Sequence, residues 1–175
     1  MDGRRIGALV GAAGGLAFVV ANAGPLDAAG WVRAAGVIGF VVVVWVVARR
    51  RLGGGTVPDA RAVRAYGWSV IAMVVAIVVG ARLLALADET RLVPLWVVAA
   101  VGLHFVPFAR AFGQPMFLRL AAALVSVAVA GTLAELAGVP DAVPWSAVLA
   151  GVVLLVSSAS PGRPVEPPAA AADTR

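Results

Sequence analysis

Apolar residues run almost unbroken for about twenty positions at a time, and polar residues are confined to the short breaks between these runs. Six runs are evident, at 6–23, 30–48, 66–87, 93–112, 117–137 and 143–159. Each is close to the ~20 residues an α-helix needs to cross a bilayer core, and each is apolar on all faces. Turn-forming residues fall in the breaks: Gly24-Pro25-Leu26-Asp27 after the first run, Gln114-Pro115 after the fourth and Gly138-Val139-Pro140-Asp141 after the fifth. Transmembrane β-strands alternate polar and apolar side chains over ~10 residues, a pattern absent from these runs. Unpaired backbone groups in lipid cost several kcal/mol each, so each run is expected to be helical. The pattern predicts an all-α, polytopic transmembrane bundle of six helices over 1–159, followed by a disordered cytoplasmic tail over 160–175 that is rich in proline and alanine.

Composition sharpens this picture. Of 175 residues, 62% are hydrophobic and 13% charged, and the mean hydropathy is +0.98. A soluble domain would carry about twice that charged fraction. All fourteen basic residues are arginine, which together with abundant Ala, Val and Gly suggests a high-GC bacterial source and a cytoplasmic (inner or plasma) membrane location. The net charge of +5 follows from topology rather than from nucleic-acid binding, because the arginines sit at helix ends and are not interleaved with exposed aromatics.

The positive-inside rule gives an orientation. With both termini inside, eleven of the fourteen arginines are cytoplasmic, and Arg33, Arg82 and Arg91 fall at or near outer ends. Trp31, Trp96 and Trp145 then lie at outer ends, with Trp45, Trp68 and Tyr66 at inner ends, as an interfacial aromatic belt requires. A competing reading treats Arg4, Arg5, the first run and Ala21-Asn22-Ala23 as a secretory signal, which would leave five helices. Against it, a second span follows at once and the first carries its own packing motif.

That motif is Gly3, Gly7, Gly11 and Gly15, a strip of bare backbone along one helix face that is expected to pack against another helix of the chain or of a second copy. Gly11-Ala12-Ala13-Gly14-Gly15 has neither the preceding strand nor the Gly-Lys-Ser/Thr ending of a phosphate-binding loop.

The fourth run holds the least ordinary chemistry. Pro107 cannot donate to the Leu103 carbonyl, so a kink with a freed acceptor is expected beside His104, the only histidine. An ionisable group within the membrane faces the bundle interior or a wet cavity. Two readings stay open: His104 and the freed carbonyl line a proton or cation path, or His104 is a neutral interhelical hydrogen-bonding residue with Phe105, Phe108 and Phe112 filling space. Gly102, Leu103, His104, Phe105, Pro107 and Ala109 resemble a segment of small, uncharacterised, multi-spanning bacterial membrane proteins. The resemblance implies a multi-pass membrane protein and supplies no activity, substrate or cofactor.

Arg82 and Glu135 are expected at similar depth near the outer boundary, either as an interhelical ion pair or each snorkelling to the interface. Arg49, Arg50, Arg51, Arg61 and Arg64 form a basic connection that could hold anionic lipid headgroups or simply fix topology. A lone histidine without cysteine, Asp or Glu at ligand spacing argues against a metal site, and no nucleophile with a positioned base is recognisable. No cofactor and no catalytic residue is therefore expected. The leading expectation is a structural or accessory integral membrane protein; the alternative is a small transporter or channel with its path near His104 and the Pro107 kink, its small-molecule or ion substrate unspecified. The bilayer is the expected partner, with homo-oligomerisation through the glycine strip as a further reading.

Overall fold

A computed structural model of the chain describes residues 3–49 and 60–160. Within them it is all-helical: α1 (Gly3–Asn22), α2 (Ala29–Arg49), α3 (Ala60–Leu86), α4 (Val93–Phe112), α5 (Pro115–Leu136) and α6 (Ala142–Ala159), with a 3₁₀ turn at Thr90–Leu92. All six are long and apolar enough to cross a membrane. The protein is thus a six-helix, multi-pass membrane protein. The predicted tail, apart from Ser160, lies outside the described residues.

Helix ends follow local chemistry. Gly113, in the left-handed conformation at φ 61°, closes α4, and its N–H donates to the Ala109 carbonyl. Pro115 opens α5, where a missing N–H costs nothing. Gly138, at φ 76°, turns the chain after α5, and the Val139 N–H donates to the Ala134 carbonyl at 3.0 Å. The main departure from the predicted runs is α3, which begins at Ala60 rather than near 66. Arg61 and Arg64 interrupt the apolar run without interrupting the helix, because a helix leaving the bilayer can continue in water with polar side chains.

Packing order differs from chain order. α6 is the hub: it lies against α1 and α5 most extensively, and also against α2 and α4. All three clusters of buried residues include it, through Ala150 and Leu154, through Leu155, and through Val148. α3 takes the opposite place. It packs on α4, and Gly80 is its one buried residue among those described. Large apolar side chains such as Ile71, Val75, Val78 and Leu83 on α3, and Ile38, Val41 and Val42 on α2, point outward at half exposure or more. Lipid is the solvent for such faces, so they carry no penalty.

Candidate functional site

His104 sits in α4 against Ser69 of α3. Ser69 Oγ and His104 Nδ1 are hydrogen bonded at 2.7 Å, and the same hydroxyl lies 3.3 Å from the His104 carbonyl oxygen. Both contacts are satisfied together if Nδ1–H donates to Oγ and the hydroxyl donates to the carbonyl. The ring packs among Phe105 and Phe108, with centroids 5.4 Å and 5.5 Å away, and Phe117 of α5 stacks on Phe105 and meets Phe108 edge-on at 5.0 Å. The Phe112 side chain, expected from sequence to fill space with Phe105 and Phe108, lies outside the described residues. Pro107 lies inside α4, which continues through it to Phe112. Ser69 was not singled out in the sequence. The available signal was its position as a hydroxyl in the inner part of an apolar run, at the depth of His104.

A hydroxyl 2.7 Å from an imidazole is also the contact a nucleophile makes with its base. Such a dyad needs an orienting carboxylate or equivalent, yet all five described acids, Asp27, Asp88, Glu89, Glu135 and Asp141, lie at the opposite end of the bundle. The Ser69–His104 contact joins α3 to α4.

At that opposite end, Arg91 rather than Arg82 reaches Glu135, its Nη1 lying 3.4 Å from Oε1. Arg91 also holds Glu89 at 2.9 Å. Arg82 is exposed and, among the described residues, makes no ion pair. The depth estimate put Arg82 and Glu135 at one level, but Arg91 sits in the turn that enters α4, the direct neighbour of α5, whereas Arg82 belongs to α3, which packs on α4 instead. Asn22, Arg91, Glu135 and Asp141 line one cleft, with Pro25 and Pro144 at its edges.

The glycine strip divides into two parts. A Cβ on Gly11 would lie 2.6 Å from Ser158 Oγ, and one on Gly15 would lie 2.7 Å from the Gly151 carbonyl oxygen, so this half of the strip is against α6. Gly151 in turn has the Gly15 carbonyl oxygen 2.6 Å from its own virtual Cβ. Gly7 faces open space, and Gly3 opens the helix. Of the basic connection, Arg49 places its guanidinium 4.1 Å from the Trp45 ring centroid and Arg64 is exposed, while Arg50, Arg51 and the Arg61 side chain lie outside the described residues.

Residues 31–160 match the model of a family described as a family of unknown function, DUF6609. The match takes in most of α2 and all of α3 to α6. No curated protein and no solved structure matches the chain.

Proposed function

Because the chain belongs to that family of unknown function, DUF6609, and inherits no activity from it, we propose from the geometry that it is a structural or accessory protein of a bacterial cytoplasmic membrane, oriented with both termini inside. The observation that carries this reading is the character of the interior. Among the described residues every buried side chain is apolar, and α1 and α6 meet backbone to backbone at Gly15 and Gly151. A permeation path through the bundle would need polar groups lining its centre. Here the centre is filled by Leu124, Val98, Leu154 and Ala150, and His104 is engaged at the α3–α4 contact. The close seat of α1 on α6 supports its retention as a helix of the mature protein rather than its removal as a signal.

Reconstitution tests the reading. Purified protein and the variant His104→Ala are placed in liposomes and compared for proton and cation flux, with helicity checked by circular dichroism. The structural role predicts background flux in both. Flux in the unmodified protein that disappears in a folded His104→Ala variant would replace it with the transport reading.

A further inference from the structure

The six helices form three hairpins, α1–α2, α3–α4 and α5–α6, and the hairpins repeat one another. Leu83-x-x-Leu86-Ala87, a turn and Val93-Pro94 recur fifty residues later as Leu133-x-x-Leu136-Ala137, a turn and Val143-Pro144. The backbone recurs with them. Asp88 and Gly138 are both left-handed, at φ 58° and 76°, and the next N–H groups, of Glu89 and Val139, donate to the Leu84 and Ala134 carbonyls at 2.8 and 3.0 Å. The first hairpin joins the series by sequence: Ala23-Gly24-x-x-Asp27-Ala28-x-x-Trp31 has the pattern of Ala137-Gly138-x-x-Asp141-Ala142-x-x-Trp145.

The hairpins also pack by one repeated step. α4 lies extensively on α5 and less so on α6; α6 lies extensively on α1 and less so on α2. The second helix of one hairpin thus seats on both helices of another, twice over, in the spatial order α3–α4, α5–α6, α1–α2. Close contacts fall at mid-helix in both steps: Gly102 approaches Leu124 and Val125, and Gly151 approaches Gly15 and Val19. There the series stops. Among the described residues α2 does not seat on α3 and α4.

Both ends of the series expose the faces that the steps bury. Phe105 stacks on Phe117 in the first step and Leu155 meets Gly15 in the second; the repeat places Val41 of α2 at both of their positions, and Ile38 at that of Gly102. Val41 and Ile38 are 57% and 64% exposed. On the receiving side, Val125 meets Gly102 and Gly11 meets Ser158; their equivalent in α3 is Val75, 54% exposed. Ile38 and Val75 each lie about 15 Å along their helices from Ala29 and Leu86, at one end of the bundle, so they meet at one depth in copies that cross the bilayer in the same direction.

We propose that a second copy of the chain continues the series, with α2 of one copy seated on α3 and α4 of the next as α4 is seated on α5 and α6. The contact is heterologous, joining unlike faces head to tail. It goes beyond the structural reading and stands whichever way the flux measurement falls. The chain has no cysteine, so every disulfide in the test is an engineered one. Full-length Ile38→Cys and Val75→Cys, differently tagged, are co-expressed and oxidised in membranes with copper–phenanthroline. The mixed dimer is expected to form roughly tenfold faster than either variant joins itself, or than Ile38→Cys joins Val152→Cys, a variant at an exposed α6 position of similar depth. The double variant Ile38→Cys/Val75→Cys should give a series of multimers. Mixed dimers no faster than these controls, a predominance of self-paired dimers, or a double variant closed only by a disulfide within one chain would each overturn the proposal. Energy transfer between otherwise unmodified copies fused to donor and acceptor fluorescent proteins checks the association without cysteine. Transfer should exceed that to an unrelated membrane protein at equal expression; equal transfer would overturn the proposal even if the cysteine variants do not fold.

Discussion

Individual residues in this protein matter chiefly by how small they are. Without a hydrophobic drive between helices in lipid, association depends on close approach, and glycine permits the closest. Gly7 and Gly15 provide a controlled comparison on one helix face. An added methyl at Gly15 meets the Gly151 carbonyl oxygen at 2.7 Å, whereas at Gly7 nothing lies within 4 Å. Gly15→Ala is expected to destabilise the bundle by about 1–3 kcal/mol through overpacking. Gly7→Ala should be neutral, or stabilising by up to ~1 kcal/mol through helix propensity. Thermal unfolding of the two variants in one detergent measures both; equal melting temperatures would show that α1 and α6 are not in backbone contact. The four-residue glycine repeat announced a packing face, but only the contacts divide it into a used half and an open half.

At the scale of elements, α3 is set apart by what holds it. Besides its apolar contact with α4 it has, among the described residues, the Ser69–His104 bond and the bond in which Trp96 Nε1 donates to the Ala76 carbonyl at 2.9 Å. The ties lie about 11 Å apart along the helices. Trp96 rests directly over Gly80, in the space a side chain there would occupy. α6, by contrast, is surrounded by α1, α2, α4 and α5. Local opening free energies follow such differences in contact. Amide hydrogen exchange is therefore expected to be faster in α3 than in α6, and Gly80→Ala should accelerate it further in α3 while leaving α6 unchanged. Matched protection of α3 and α6 in the unmodified protein would contradict this. None of it was readable from hydropathy, since the third run is as apolar as any other and its exposed and buried faces carry the same residue types.

For the whole molecule, the described charges separate by end. The five acids share one end with Arg33, Arg82 and Arg91, and the other end carries Arg5, Arg49, Arg64, Arg110 and Arg119 with no described acid. Under the positive-inside rule the second end is cytoplasmic. The absence of native cysteine makes this directly measurable. In intact cells, Val139→Cys should react with a membrane-impermeant maleimide, and Ser160→Cys only after permeabilisation. The reverse pattern would invert the topology.

The number of helices, their approximate limits and the all-α class were legible in the run of apolar and turn residues. The bilayer imposes those through length and backbone hydrogen bonding alone, and both are local properties of a run. The same pattern also placed Glu135 and Arg91 at the same end of the bundle, because depth follows from counting along a helix. Which helices touch is a different kind of fact. In lipid every face of these runs is acceptable to the solvent, so no periodicity marks the buried side, and partner choice rests on shape: bare backbone at Gly15 against Gly151, Trp96 over Gly80, Glu135 beside Arg91 instead of Arg82. That α6 is the hub, that α3 hangs on α4 and that Ser69 meets the single histidine are facts of packing, visible once the helices are assembled.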